Sequence, residues 1–435
     1  MREDWIECTV GDLLKLKNGY AFKSSNYKSE GIPVLRIGDI QDWSVDVENA
    51  KRIEEKEEYD SHIVNKGDVL IAMSGATTGK FGIYNSDEKA YQNQRVGNLI
   101  PHSDKYTIKN YIYYLLYSLK REIEQGAYGG AQPNISATKI EELKTKLFPL
   151  PIQKAIVKKI EELFSSLDSG IADLKKAQDQ LVIFRQAVLK KAFEGELTKK
   201  SEKPKIINLG SIIEKPRYGS SKKCTLGVKG KAVLRIPNIG NGVVDTTELK
   251  YAEFEEKELA TLKLKEGDIL TIRSNGSVDL VGKCALITKK DLDFLFAGYL
   301  IRLRPNLEKM VPKYLLHCLG SHKLRVQIES KAKSTSGVNN INSGELESLE
   351  IPLFSKQQQH QIVQEIESRL SVCDKVEKDL TDSLEKAQAL RQSILKKAFE
   401  GKLLSEDEIA ECKADKDYEP ASVLLERIKK EKKQK

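Results

Sequence analysis

No two prolines stand side by side in these 435 residues, and there is no Pro-Asp pair, no Gly-x-Ser-x-Gly and no Cys-x-x-Cys. Each absence removes a chemistry. Without adjacent prolines there is no Asn/Asp-Pro-Pro-aromatic loop of the kind with which amino-methyltransferases grip a target amine. Without Pro-Asp the usual nuclease carboxylate signature is weakened, and without Gly-x-Ser-x-Gly there is no nucleophile elbow. The six cysteines are scattered, no pair closer than 34 residues, so neither a zinc knuckle nor a redox pair is readable. Single thiols suit a reducing cytoplasm. The five histidines give no His-x-x-x-His, and His317 and His322 would not share a helix face.

Long apolar runs are also missing. The longest, Ile112-Tyr-Tyr-Leu-Leu-Tyr117, is far short of the roughly 20 residues that span a bilayer. Met1-Arg-Glu-Asp-Trp-Ile6 has acidic residues where an export signal has an apolar core. These features favour a cytoplasmic chain without a membrane segment. The formal net charge is +8, which admits nucleic acid as a partner without demanding it. Gly79-Lys80 and Gly282-Lys283 hint at a phosphate loop, but Ser74 and Ser277 stand where the Walker pattern needs Gly. Phe81 and Cys284 stand where it needs Ser or Thr, so ATP binding is rejected. The reading is a protein without an active site.

What the sequence does contain is one text written twice. Arg185-Gln-Ala-Val-Leu-Lys-Lys-Ala-Phe-Glu-Gly-Glu-Leu197 recurs 206 residues later as Arg391-Gln-Ser-Ile-Leu-Lys-Lys-Ala-Phe-Glu-Gly-Lys-Leu403. Ile156-Val157 and Asn134-Ile135 recur at the same offset, as Ile362-Val363 and Asn340-Ile341. Upstream, Val34-Leu-Arg-Ile37 matches Val233-Leu-Arg-Ile236, and Gly67-Asp-Val-Leu70 matches Gly267-Asp-Ile-Leu270. A unit of about 200 residues therefore occurs twice, and a repeat of that length governs the fold.

Each unit has two parts. The first holds short apolar runs bounded by Gly-Asp turns, such as Val69–Ala72 and Ile269–Ile272, which read as strands. Helical stretches follow near 106–125 and 312–329, giving an α+β domain of about 150 residues. The second part is a helix with a narrow seam. Ile156, Ile160, Leu163, Leu167, Ile171, Leu174, Leu181, Phe184 and Val188 fall at gaps of three, four and seven. Ile362, Ile366, Leu370, Cys373, Val376, Leu380, Leu384, Ala387, Leu390, Ile394 and Ala398 do the same in the second copy. Ser355 and Gln358 form a capping box, and Gly195 and Gly401 are placed to end the helices. Asp168-Ser-Gly170 is a possible kink. Such seams need partners, and the expectation is that the two helices pair antiparallel, with a pseudo-twofold between two heads on a rod. The alternative, each helix packing on its own domain alone, would leave part of so regular a seam uncovered.

The expected boundaries are 1–150 and 201–350 for the two α+β domains, 151–200 and 351–404 for the helices, and 405–435 for a tail whose Lys-rich end, Ile428–Lys435, reads as solvated. Between matched strand flanks the copies diverge. The first has Ser74, Thr77 and Thr78 before Lys80; the second has Arg273, Ser274, Asn275 and Ser277 before Lys283. Loops that differ on a shared scaffold are where binding differs, and these side chains suit base edges or phosphates. A second divergent stretch sets Gln92, Asn93, Gln94 and Arg95 against Phe296-Ala-Gly-Tyr299. Gln and Asn can pair with adenine and Arg with guanine. Residue by residue, ordinary turns and solvated lysines are the commoner explanation. Arg36 and Arg235 read as half-buried structural arginines, and the Gln132-Pro-Asn134 and Gly337-Val-Asn-Asn340 turns either close the domain or touch DNA.

Domain, long helix, domain, long helix resembles the specificity subunit of type I restriction–modification systems. The residues that carry the likeness are Lys190-Lys-Ala-Phe-Glu-Gly195 and Lys396-Lys-Ala-Phe-Glu-Gly401, the entries Val34–Ile40 and Val233–Ile239, and Glu419–Ile428 in the tail. Pro149-Leu-Pro-Ile-Gln153 departs from the usual helix entry. The resemblance implies two target recognition domains, each reading one half of an asymmetric bipartite duplex DNA target, with the helices setting the unread spacer. It implies two adenine-N6 methyltransferase subunits docked on the helices, with two restriction subunits as further partners that the sequence leaves open. S-adenosylmethionine and ATP would belong to those partners, so this chain would hold no cofactor and no metal. A coiled-coil protein–protein scaffold with two adaptor domains and no DNA role is the competing class.

Overall fold

A computed structural model describes residues 5–103, 105–127, 133–197, 203–227, 229–335 and 337–434. The chain folds as two compact units, Met1–Asp173 with Ser383–Lys435, and Leu174–Asp382.

In the first unit Ile6–Thr9 pairs antiparallel with Lys144–Leu147. A six-stranded sheet runs Leu14–Asn18, Val96–Pro101, Val69–Ala72, Phe81–Ile83, Trp43–Val45, Ile40–Gln41. A four-stranded sheet runs Lys51–Ile53, Ile32–Leu35, Ala90–Gln92, Ile63–Val64. Val69–Ala72 is buried at every residue, which is why it reads as an unbroken apolar run. The Gly-Asp before it is a turn: Gly67 has φ +88°, and the Asp68 carboxylate accepts from the Asn65 amide at 2.9 Å. The helices Lys109–Ser118 and Lys120–Ala127 cover the sheet and share one core with its strands.

The second unit repeats this plan. Lys205–Asn208 pairs with Glu350–Leu353; Arg217–Tyr218, Leu300–Leu303, Ile269–Ile272 and Cys284–Leu286 make one sheet; Lys250–Ala252, Lys231–Leu234 and Leu295–Phe296 make another. The odd parallel pairing also repeats, Val34 with Tyr91 and Val233 with Leu295. So does one steric constraint: a Cβ on Gly19 would lie 2.2 Å from the Gln92 carbonyl oxygen, and one on Gly219 would lie 2.3 Å from that of Phe296. Only glycine lets the two backbones approach so closely. The second unit adds a small sheet of Ser274–Asn275, Val338–Asn340 and Lys333–Thr335.

The expected helices span Leu150–Glu194 and Lys356–Phe399. Asp168-Ser-Gly170 does not interrupt the first, since helical hydrogen bonding continues through it. Ser355 and Gln358 form the reciprocal cap, each amide donating to the other's side chain. Both helices end in a Schellman turn: Gly195 and Gly401 have φ +84° and +76°, and Glu196 and Lys402 donate back to Lys191 and Lys397 at 2.9 and 2.8 Å. One residue repeats at both helix starts in a role the periodicity did not show. Gln153 and Gln359 are fully buried, and each donates to two carbonyls and accepts one amide from the neighbouring loop.

Within each unit the helix segments run antiparallel. In the first, Ile152 and Ile156 meet Ala398 and Gly401 around a small apolar cavity, whereas Asp168 meets Arg391. In the second, Val188 and Phe193 share a core with Ile362 and Ile366, whereas Arg185 meets Asp374 and Glu377. The 3- and 4-spaced seam is what buries Ile160 and Ile366 completely.

The described lysines of the Lys-rich end are exposed as expected, but the segment is a packed helix and not a free tail. Glu406–Lys413 and Ala421–Gln434 are helices, and Ile428, Leu424 and Leu425 are buried in the first unit's core. Lys429 pairs with Asp12 and Lys432 donates to the Gly11 carbonyl. The packing was missed because the lysines flank, rather than interrupt, an amphipathic face.

Candidate nucleic-acid interface

In the first unit four segments converge where the strand Val69–Ala72 ends. Met73 donates to the Arg95 carbonyl and accepts from the Ile135 amide, both at 3.0 Å, and the Gly75 amide donates to the Pro133 carbonyl. Ser74 bridges Asn134, and Thr77 Oγ1 donates to the Ile37 carbonyl at 3.0 Å. The divergent stretches that lie far apart in sequence are thus one surface. Gln132 lies outside the described residues.

The candidate side chains split by role. Thr77 and Thr78 hold the loop; Thr78 Oγ1 donates to Gly75 and Pro133 carbonyls. Ser74 Oγ is buried with no hydrogen-bond partner among the described residues. Gln92 does not reach the surface. It is buried, and its amide donates to the Lys17 and Val96 carbonyls at 2.6 Å each, so it ties two strands together. Asn93 is half-buried and accepts from the Arg95 amide, while Gln94 and Arg95 are exposed. Arg36 sits beside this surface with Nε 3.6 Å from Asp39. Burial pushes the Asp39 carboxyl up, and the Arg36 amide and guanidinium pull it back only in part. Arg235 is structural as expected: Nη2 donates to the Glu248 carbonyl and pairs with its carboxylate.

The equivalent surface of the second unit is built by the same backbone bonds and different side chains. Arg273 donates to the Tyr299 carbonyl at 2.9 Å and accepts from the Ile341 amide at 2.8 Å. Its Nε donates to Asn340 Oδ1 at 3.2 Å, and its guanidinium lies 4.7 Å from the centre of the Tyr218 ring. Ser274 and Asn275 are strand residues opposite Asn340 and Asn339. Asn275 Oδ1 accepts from the Ser277 amide, and Ser277 is exposed. The Gly337–Asn340 turn is therefore part of this surface.

Lys80 and Lys283 are half-buried and close hairpins. Gly79 and Gly282 have φ +86° and +79°, and their amides donate back to Ala72 and Ile272. The glycine of each Gly-Lys pair repeats because the turn needs a left-handed residue. Sequence reasoning missed Tyr218. Tyr218 carried one usable signal: Tyr218-Gly219 follows Asn18-Gly19 by the same offset of 200 as Gly267 follows Gly67.

The sequence profile described as "Type I restriction modification DNA specificity domain" matches residues 2–176 and again 201–386. The chain belongs to that family. The family domain occurs twice, as the internal repeat requires. Among relatives, the EcoKI specificity subunit of Escherichia coli K12 is 29% identical over 446 residues, covering 99% of this chain and 96% of that protein. The EcoBI specificity subunit of Escherichia coli is 27% identical, over 99% and 93%. The fold is also that of solved structures. A chain from a study of complex assembly and conformational transition of the type I R-M system superposes with TM-score 0.71 at 18% identity, covering 92% of this chain and 98% of that one. The HsdS subunit of Thermoanaerobacter tengcongensis gives TM-score 0.55 at 16% identity, over 93% and 98%. Among the described residues no helix is long and apolar enough to cross a membrane.

Proposed function

We propose that this chain is the non-catalytic DNA-specificity subunit of a type I restriction–modification complex, and that each unit reads one half of an asymmetric bipartite duplex target. The observation that carries this is the pair of equivalent surfaces. The same backbone hydrogen bonds frame Met73 and Arg95 in one unit and Arg273 and Tyr299 in the other. A common scaffold with different donors at its tip is what two different half-sites require.

Methyltransferase subunits are the proposed protein partners, with S-adenosylmethionine held by them and ATP by any restriction subunit. Support comes from the long helices. Val182, Ile183 and Phe184 are exposed in the second unit, and Leu390, the repeat counterpart of Phe184, is equally exposed at 49% in the first. Apolar side chains left in water at matching positions suit two copies of one partner.

The test is salt-dependent binding of this chain, purified with its methyltransferase partner, to duplex DNA, together with methylome sequencing. Exchange of 1–150 for a homologous domain should alter one half-site only. Absence of salt-dependent, sequence-specific binding to duplex DNA would support the adaptor scaffold instead.

A further inference from the structure

The Arg273 guanidinium is held at Nε and by an aromatic ring, and its terminal nitrogens have no partner among the described residues. Both of its backbone groups are tied, to Tyr299 and Ile341, so the Cα is fixed. Its Nε is taken by Asn340 Oδ1 at 3.2 Å, and its Cζ lies over the Tyr218 ring, 4.7 Å from the centroid. Tyr218 is itself fastened, its hydroxyl accepting from the Ser343 amide at 3.0 Å at the start of the helix Ser343–Glu347. No carboxylate pairs with Arg273 among the described residues, and its Nη1 and Nη2 donate to none of them. Structural arginines elsewhere in the unit differ. Arg304 is forked onto Asp268 at 2.6 and 2.7 Å, and Arg325 onto the Val281 and Val278 carbonyls.

We infer that Arg273 is the residue with which the second unit reads a guanine. With Nε occupied, the two terminal nitrogens present parallel donors along one edge, which matches the O6 and N7 acceptors that guanine alone shows in the major groove. The ring of Tyr218 and the amide of Asn340 remove the rotamer freedom that an exposed arginine would lose on binding. The repeat supplies an internal comparison. The counterpart of Arg273 is Met73, buried in the first unit's core, so the first unit has no such reader at this position. The inference rests on the proposed DNA-reading role and names one contact within it.

The experiment uses the complete chain with its methyltransferase subunits. Arg273→Ala and Arg273→Lys are each expected to relax one position of the second unit's half-site from guanine to any base. Discrimination at that position should fall roughly 5- to 150-fold, with the first unit's half-site unchanged. Lysine keeps the charge and loses the fork, so it should not rescue. Tyr218→Phe, which keeps the ring and frees it from Ser343, should give a smaller relaxation at the same position and guards against misfolding of the first two variants. A phosphate contact would overturn the inference. Arg273→Ala would then weaken all sequences alike and reduce the salt slope by about one, with lysine rescuing. Failure of the wild-type complex to bind DNA specifically would instead overturn the proposed function itself.

Discussion

Arg391 is ion-paired with Asp168 across the two long helices of the first unit, and its guanidinium lies 5.5 Å from the Trp43 ring and 5.1 Å from that of Phe164. The second unit makes the same pair with the helices exchanged. Arg185, the counterpart of Arg391, is 2.7 Å from Asp374, the counterpart of Asp168. The Asp-Ser-Gly that breaks the sequence pattern is thus a helix-pairing element. The repeated motif opens with arginine because that residue crosses to the other helix in both units.

The two arginines are unequal in their surroundings. Arg391 has aromatic faces as well as a carboxylate; Arg185 has two exposed acids. Arg391→Ala is expected to destabilise the first unit by about 1–2 kcal/mol and Arg185→Ala the second by about 0.5 kcal/mol. Urea unfolding of each variant, followed by unit-specific hydrogen exchange, measures the difference.

Trp43 has φ +80°, a left-handed conformation that costs a residue bearing Cβ. Its counterpart by strand pairing is Gly242, with φ +81°: Trp43 lies beside Gly82, and Gly242 beside Ala285. Packing on Tyr117, Tyr113 and Phe164, at ring distances of 4.1, 5.5 and 5.6 Å, holds the tryptophan there. Trp43→Gly should therefore be more stable than Trp43→Ala by about 0.5–1 kcal/mol, reversing the usual order. Thermal melts of the two variants decide it.

Gln92 and Arg95 are three residues apart and should behave oppositely. Gln92→Ala removes the buried amide that donates to the Lys17 and Val96 carbonyls and is expected to cost about 1–3 kcal/mol while the half-site stays the same. Arg95→Ala should alter stability by less than about 0.5 kcal/mol and change the first unit's half-site. Methylome sequencing beside denaturation separates the two.

The C-terminal helix is fastened to the first unit by a contact that senses acid. Burial opposes ionisation of Asp12, but hydrogen bonds from Thr9 and the Lys429 ammonium, 3.3 Å away, outweigh it and hold the carboxyl below the usual range. A depressed pKa in the folded state gives stability that is complete above the unfolded value, about 4. That stability is lost as pH falls through the folded value. Protection of Ala421–Gln434 from hydrogen exchange should drop below about pH 4, and Asp12→Asn should lower it at neutral pH and remove that part of the pH dependence.

The sequence by itself determined the duplication, the two long helices with their caps, and the strands at the Gly-Asp turns. These rest on local periodicity and on residues such as Gly195, Gly401 and Ser355, whose backbone roles need no distant partner. Only the tertiary structure decided which candidate side chains face outward. Gln92 and Arg95 look alike in a string of polar residues, yet the first is drawn inside, where its amide donates to the Lys17 and Val96 carbonyls. Tyr218 was invisible as the plate under Arg273, and Asp168 as the partner of Arg391, for one reason. A residue's function there is set by what the chain brings against it from 55 or 223 positions away, and no local pattern records that distance.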